Sequence, residues 1–247
     1  MYLELLGSKF SPSSIEVYRR CPYLWYLIYI LGVVPIELDT PAVLLGRSFH
    51  QCIKKFLDGK FYNQKWLYKL WRMYRIDIEC GGMKGDVGIE NWWKWFQKMN
   101  LKGFKVRSIE EKYTKRVLGT YISGRLDCVF SRERRFLVVD WKTGSYEVCN
   151  VNLEEYVKES IQLFLYGHII LEKFELESKD VDIAFYYPMY DRYVSCPLIE
   201  NTAESEIQKC LEGIALHNYQ KVIGDDCNYC SFKEFCNLED DWVRTLG

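Results

Sequence analysis

Two acidic residues and one lysine within residues 124–142 have the types and spacing needed to hold a metal ion. Asp127 lies in the first of two apolar, β-branched runs, and Asp140 and Lys142 come at the end of the second run. The polar residues 131–135 between the runs predict a turn, so the two runs should form a β-hairpin. Side chains two residues apart on a strand share a face, which places Asp140 beside Lys142.

Charged groups on an apolar hairpin are costly to bury unless they pair with one another or bind a metal. Two carboxylates can share a hard divalent cation such as Mg²⁺ or Mn²⁺. The lysine ammonium can stabilise a developing negative charge or orient water. Taken alone, an Asp-x-Lys pair is equally typical of an ordinary ion pair at a strand end, so the rest of the chain must decide.

The composition of the chain limits the classes of protein that fit. Its 247 residues, 49% hydrophobic, can bury a sizeable core, and we expect one domain over residues 1–247. A net charge of −1 excludes a broad basic surface, so any nucleic-acid contact must be a local patch or channel. Ten cysteines without a predicted signal peptide favour a reducing, cytoplasmic setting. The longest uncharged stretch is too short to span a membrane.

Three cysteines near the C-terminus have the spacing of a metal or cluster site. Cys227, Cys230 and Cys236 form a Cys-x2-Cys-x5-Cys run whose sulfurs can reach one centre. With a distant fourth cysteine, such a set fits either zinc or an iron–sulfur cluster, because both accept four cysteine ligands. Structural zinc more often comes from two close pairs, which disfavours it here. Cys21, taken alone, is typical of a small buried residue.

Two predicted helices carry further polar residues beside apolar faces. Residues 41–58 have apolar side chains three to four apart, which predicts an amphipathic helix with His50 beside its apolar stripe. A lone histidine in that position is more often structural than a ligand. Residues 153–172 predict another amphipathic helix, on which Gln162 and Tyr166 share a face.

Residues 60–105 combine many aromatic side chains with lysines. Such a mixture can form a stacking platform for unpaired bases. The alternative, which we favour, is a small helical insertion whose tryptophans form its core. Glycines at 81–82 and 85–88 should divide it into two helical pieces. In the strand region that follows, four basic residues could contact phosphates or merely solubilise an edge, and the sequence does not decide: Lys112, Lys115, Arg116 and Arg125.

Taken in order, these motifs resemble the RecB-like branch of the PD-(D/E)xK nuclease superfamily, in the group with an iron–sulfur cluster. The resemblance runs from about residue 11 to 236 and rests on these motifs: Cys21-Pro22, Gly46-x-x-x-His50, Gly124-Arg125-x-Asp127, Asp140-x-Lys142-Thr143-Gly144, Gln162-x-x-x-Tyr166 and Cys-x2-Cys-x5-Cys. Aspartate rather than glutamate at position 140 is the one departure in the metal motif, and the superfamily allows it. Similar proteins include CRISPR-associated adaptation nucleases, exonuclease V and nuclease domains of recombination helicases.

The resemblance implies a fold and two sites. The fold is an α/β core with a mixed central sheet flanked by helices, a helical insertion at 60–105, and an iron–sulfur module from 11–35 and 220–240. Mg²⁺ or Mn²⁺ would be held by His50, Asp127, Asp140 and the carbonyl of Trp141, with Lys142 positioning water. A structural [4Fe–4S] cluster would join Cys21 to Cys227, Cys230 and Cys236. Gln162 and Tyr166 would contact DNA, and we expect Arg125 to join them.

The function expected from this resemblance is metal-dependent cleavage of DNA, with preference for single-stranded or unpaired ends. An exonuclease of this kind would act in CRISPR adaptation, with an integration complex as a protein partner, or in DNA repair or viral genome processing. The alternative is an iron–sulfur DNA-binding protein of the same fold that does not cleave. The complete set of metal-site residues argues against this alternative.

Overall fold

A five-stranded mixed sheet forms the centre of the molecule, in a computed structural model that describes residues 10–34, 40–59, 62–75, 82–144, 149, 151–233 and 236. The strands lie in chain order: β1 (Lys105–Val117), β2 (Thr120–Arg132), β3 (Arg135–Trp141), β4 (Val181–Tyr187) and β5 (Arg192–Pro197). β3 and β4 pair in parallel, and the other neighbours pair antiparallel. The predicted fold class, a mixed central sheet flanked by helices, is confirmed.

Helices pack on both faces of this sheet. They are α1 (Pro12–Arg20), α2 (Pro22–Tyr29), α3 (Pro41–Asp58), α4 (Gln64–Tyr74), α5 (Gly82–Leu101), α6 (Leu153–Lys158), α7 (Ile161–Phe174) and α8 (Glu204–Ala215). Successive strand residues point to opposite faces, so Val138 lies in one apolar core with α1, α7 and α8, and Val139 lies in a second core with α3, α4 and α5. Within the described ranges, no helix is long and apolar enough to cross a membrane.

The predicted hairpin is formed by β2 and β3. Their pairing extends to Arg132 opposite Arg135, so the turn is shorter than the five residues predicted. Glu133 adopts a left-handed φ of 52°, as one residue of so tight a connection commonly must. The hairpin therefore holds Asp127 and Asp140 on adjacent, firmly paired strands.

The aromatic segment forms α4 and α5, but the predicted break at residues 85–88 is wrong. α5 runs without interruption through Gly85 and Gly88. A Cβ atom at Gly85 would lie 2.3 Å from the Trp71 ring, so this glycine allows α5 to pack against α4. Trp92 and Trp95 are buried in the core shared with the sheet, which supports the helical-core interpretation over a stacking platform.

The segment predicted as one helix over residues 153–172 is two helices, α6 and α7. The break falls at Ser160, whose hydroxyl accepts a hydrogen bond from the Leu163 amide at 3.2 Å and so caps α7. This break directs α7 across the sheet. Gln162 lies in the first turn of α7, next to the end of β3.

Candidate active site

Asp127 and Asp140 lie side by side at the centre of the candidate site. Cys128 of β2 pairs with Val139 of β3, and the same register brings Asp127 opposite Asp140. Both carboxylates are almost buried, with exposed fractions of 8% and 4%. Asp127 Oδ2 accepts a hydrogen bond of 2.8 Å from the Trp141 amide, so the hairpin itself orients this carboxylate.

The two neighbouring carboxylates repel each other in this buried setting. Burial and the charge of Asp140 raise the pKa of Asp127 to about 6, although His50 counteracts the increase. A buried carboxylate with a raised pKa is stabilised in its ionised form when a cation neutralises it. The arrangement is therefore typical of a cation site rather than of an ordinary ion pair.

His50 reaches these acids from α3. A Cβ atom at Gly46 would lie 3.1 Å from Thr143 Oγ1, so this glycine lets α3 approach the chain just after β3. His50 Nδ1 then lies 3.1 Å from Glu110 Oε1 and 3.4 Å from Asp127 Oδ1. Burial by itself would lower the pKa of His50, but the hydrogen bonds to Asp127 and Glu110 outweigh it and raise the pKa to about 10.

Glu110 is a member of the site that the sequence analysis missed. Ile109 pairs with Cys128 and Glu111 with Leu126, so Glu110 of β1 lies opposite Asp127. Its φ of 47° is left-handed, a strained conformation for glutamate and one that clusters at functional sites. The signal available in the sequence was an acidic residue on the strand that precedes Gly-Arg-x-Asp.

His50, Glu110 and Asp127 form a compact group of potential metal ligands. One imidazole nitrogen and one oxygen from each carboxylate lie within 4.8 Å of one another. Two carboxylates and an imidazole suit Mg²⁺, Mn²⁺ or a similar divalent cation. The donor set therefore fits the metal that the sequence predicted, with Glu110 as an additional candidate ligand.

Asp140 belongs to a second group of contacts with Lys142 and Gln162. Lys142 Nζ lies 2.7 Å from Asp140 Oδ2 and donates to Gln162 Oε1 at 2.7 Å. The Gln162 amide donates to Asp140 Oδ1 at 2.7 Å and to the Tyr166 hydroxyl at 3.3 Å. Burial alone would lower the pKa of Lys142, but the charge of Asp140 outweighs it and raises the pKa, so the ammonium stays protonated.

One carboxylate oxygen of Asp140, Oδ2, is still able to accept a hydrogen bond or to bind a cation. The Lys142 ammonium is close to Asp140 Oδ2, yet this buried oxygen accepts no well-aligned hydrogen bond from the described residues. Buried polar atoms normally have such a partner, so this oxygen is suited to a ligand that the protein itself does not supply. Asp140 is thus placed to join the ligand group of His50 and Asp127.

The residues predicted to contact DNA are divided between two locations. Gln162 lies against the candidate catalytic residues Asp140 and Lys142, and Tyr166 lies next to Gln162. A Cβ atom at Gly124 would lie 2.7 Å from Tyr166 Cε1, which explains the physical need for glycine in the Gly-Arg-x-Asp motif. Arg125 is exposed on β2, directly opposite Lys112 of β1.

The four predicted cluster cysteines line one cavity of about 460 Å³ between the N-terminal helices and the C-terminal segment. Cys21 lies at the junction of α1 and α2, and the Tyr23 amide donates to the Gln220 carbonyl at 3.2 Å, which joins the two segments. Arg20, Lys221 and Lys233 also line the cavity, against one acid, Asp226.

The other cysteines were predicted to serve packing. Cys52, Cys128, Cys196 and Cys210 are buried, as this prediction requires, whereas Cys149 is exposed. Cys80 lies outside the described residues.

Comparison with known proteins identifies the family. The sequence model of the PD-(D/E)XK nuclease superfamily matches residues 9–237, and the chain belongs to this superfamily. A solved structure described as "Crystal structure of SSO0001" is 14% identical, with a TM-score of 0.37 over 78% of this chain and 94% of that chain. A search of curated proteins finds no match. The family assignment therefore rests on the sequence match.

Proposed function

We propose that the protein is a metal-dependent deoxyribonuclease of the RecB-like branch, which hydrolyses phosphodiester bonds. The observation that carries the proposal is the convergence of five side chains from α3, β1, β2 and the end of β3: His50, Glu110, Asp127, Asp140 and Lys142. We assign the metal ligands to the imidazole and the three carboxylates, with the carbonyl of Trp141. A divalent cation held there supplies positive charge to a phosphate oxygen and lowers the pKa of water.

Lys142 has a distinct role in this proposal. Its ammonium is held between Asp140 and Gln162 at 2.7 Å from each, so its position is defined before substrate arrives. A fixed positive charge next to the acids can stabilise the negative charge that develops on the phosphate and can orient the attacking water. Gln162 then acts as a positioning residue, since it contacts both Asp140 and Lys142.

The proposed substrate is DNA with a single-stranded or unpaired end, cut exonucleolytically. Asp127 and Asp140 are 8% and 4% exposed, so the reacting phosphate has to enter a recess. A single strand can enter such a recess more easily than an intact duplex. The net charge of −1 likewise supports a confined contact over a broad basic face.

The cysteine cavity supports a structural [4Fe–4S] cluster as part of the same proposal. Four thiols lining one cavity satisfy the ligand count, and the basic side chains beside them would balance the negative charge of the thiolate ligands. A cluster there would bond Cys21 to residues more than 200 positions later and so hold the two ends of the domain together. Anaerobically purified protein should contain about four irons per chain, and stoichiometric zinc without iron would contradict this part.

The biological role proposed from the family resemblance is fragment trimming in CRISPR adaptation, or DNA repair or viral genome processing. The first role requires a protein partner, such as an integration complex. Recovery of integration proteins with the affinity-tagged chain from its native cell would support that role.

The test of the nuclease proposal is a cleavage assay on labelled single-stranded DNA and on blunt duplex of the same sequence. We expect cleavage with Mg²⁺ or Mn²⁺, none with EDTA, and faster cutting of the single strand. Lys142→Ala should reduce the rate by at least about a hundredfold because it removes a preorganised charge. Lys94→Ala, which removes a surface ion pair with Glu90, is the matched control. If the protein binds DNA but leaves it intact in the presence of either Mg²⁺ or Mn²⁺, the non-cleaving alternative is favoured.

A further inference from the structure

One face of the β1–β2 ribbon carries a row of side chains that begins at the candidate metal site. Beyond the pair of Glu110 and Asp127, the register continues with three cross-strand pairs, which we call the basic row: Lys112–Arg125, Thr114–Ser123 and Arg116–Tyr121. Alternate residues of a strand share a face, so these six side chains lie on one side of the ribbon, in register with the Glu110–Asp127 pair at one end. Five of its six side chains are exposed, and Ser123 is half-buried.

The charges of the basic row are not neutralised by the protein. Lys112 and Arg125 lie directly opposite each other, where two like charges destabilise a sheet. Across the described residues, neither side chain has a carboxylate within ion-pair distance. On the other face of β1, by contrast, Lys115 pairs with Glu172 at 2.8 Å. The repulsion between Lys112 and Arg125 would be relieved by an external anion.

The space beside this charged pair can accept such an anion. Lys112, Arg125 and Ser123 line a cavity of about 440 Å³ together with Ser11 and Tyr29. Two cations and two hydroxyl groups are the donors that bind phosphate oxygens in protein–DNA contacts. Tyr29 adds an aromatic ring that can contact a sugar or a base.

We propose that the basic row is the track that binds the sugar–phosphate backbone of the strand being cut. This inference rests on the proposed nuclease function and specifies how its substrate lies. Successive pairs of the row are about 7 Å apart along the strands, a spacing similar to that of successive phosphates on an extended single strand. Lys112 and Arg125 then bind the phosphate next to the scissile one, and Arg116 binds a phosphate farther from the site. Tyr121, 51% exposed, stacks on a base at the end of the row.

The test measures binding of a fluorescent single-stranded oligothymidine in EDTA, by anisotropy, over a range of salt concentrations. The double variant Lys112→Gln/Arg125→Gln removes both cations from one phosphate contact. Its plot of log affinity against log salt should therefore be shallower by about 0.7 units, the change for one neutralised phosphate on a single strand. At low salt its affinity should fall at least about tenfold. Arg125→Lys, which keeps the charge, should keep a wild-type slope.

The control is the double variant Lys115→Gln/Lys173→Gln, which removes the same charge from the opposite face. Lys115 and Lys173 pair there with Glu172 and Glu111 at 2.8 and 3.5 Å, so the control should keep the wild-type slope. Thermal melting of every variant checks folding. A wild-type salt slope in the Lys112/Arg125 variant would contradict the proposal that the basic row binds the DNA backbone. An equal decrease of the slope in the control variant would contradict it as well.

The binding and cleavage results separate the track from the nuclease proposal. If the variants show the predicted salt slopes but the wild type cuts no DNA in the presence of metal, the nuclease proposal is contradicted and the track is supported. Wild-type cleavage together with unchanged slopes in the Lys112/Arg125 variant would support the nuclease and overturn the track. In the cleavage assay, the Lys112/Arg125 variant should raise KM and leave kcat close to wild type, because its contacts are made equally with the ground state and the transition state.

Discussion

Binding of a divalent cation at His50 should release protons and should therefore strengthen as the pH rises. In the metal-free protein, the hydrogen bonds to Asp127 and Glu110 outweigh burial and raise the pKa of His50 to about 10. Burial and the charge of Asp140 raise the pKa of Asp127 to about 6. Only a neutral imidazole and an ionised carboxylate coordinate a metal, so any proton held by these groups must leave on binding.

The magnitude follows from the number of protons released. Between the pKa values of Asp127 and His50, about 6 and about 10, His50 holds one proton. The apparent dissociation constant should then fall about tenfold per pH unit, or about 1.4 kcal/mol. At lower pH Asp127 is protonated as well, and the dependence should steepen to about a hundredfold per pH unit.

The same pKa values predict the pH dependence of stability without metal. The pKa of His50 is raised from 6.5 in the unfolded chain to about 10 in the folded protein. Protonated His50 therefore contributes stability that is fully present below 6.5 and is lost as the pH rises through about 10. Over this interval the melting temperature of metal-free wild type should fall more steeply than that of His50→Gln.

The assay is isothermal titration calorimetry with Mn²⁺ across roughly pH 7 to 9, in buffers with different ionisation enthalpies. The buffer dependence of the heat counts the protons directly. His50→Gln should bind more weakly at high pH and lose the pH dependence. His168→Gln, whose ring packs 4.1 Å from that of Phe164, is the control outside the site. Affinity that does not change with pH in wild type, or an unchanged slope in His50→Gln, would refute the reasoning.

The remaining predictions concern single substitutions. Asp140→Ala should lower the cleavage rate at saturating metal by at least about a hundredfold, while iron content stays at the wild-type value; retained cleavage would show that the hairpin is not the catalytic element. Gly124→Ala should destabilise the protein by about 1–3 kcal/mol in urea unfolding, because the new Cβ would lie 2.7 Å from the Tyr166 ring. Cys21→Ser should lose iron and lower the melting temperature together, since cluster binding adds to the folding free energy. Cys210→Ser, a buried thiol outside the cavity, should keep its iron, and full iron content in Cys21→Ser would rule out Cys21 as a ligand.

The sequence by itself was enough to predict the hairpin and the helical segments that carry His50 and Gln162, although not the break at Ser160 that separates α6 from α7. These features depend on local patterns. An alternating or β-branched run predicts a strand, and apolar residues three to four apart predict a helix, wherever the rest of the chain lies. For the same reason, the neighbourhood of Asp140 and Lys142 was predictable, because two residues on one strand share a face. The family resemblance rested on the order of such local motifs.

Only the tertiary structure decided which of these separate elements meet, and how. Glu110 joins the group of potential metal ligands because the β1–β2 register sets it opposite Asp127. This register is determined by the packing of both sheet faces and not by either strand alone. The same register divides the basic residues that the sequence left undecided, with Lys112 and Arg125 on one face of the ribbon and Lys115 on the other. Gln162 contacts Asp140 through the path of α7 across the sheet. Contacts of this kind join residues far apart in the chain, so they follow from the folded core as a whole and not from any one segment.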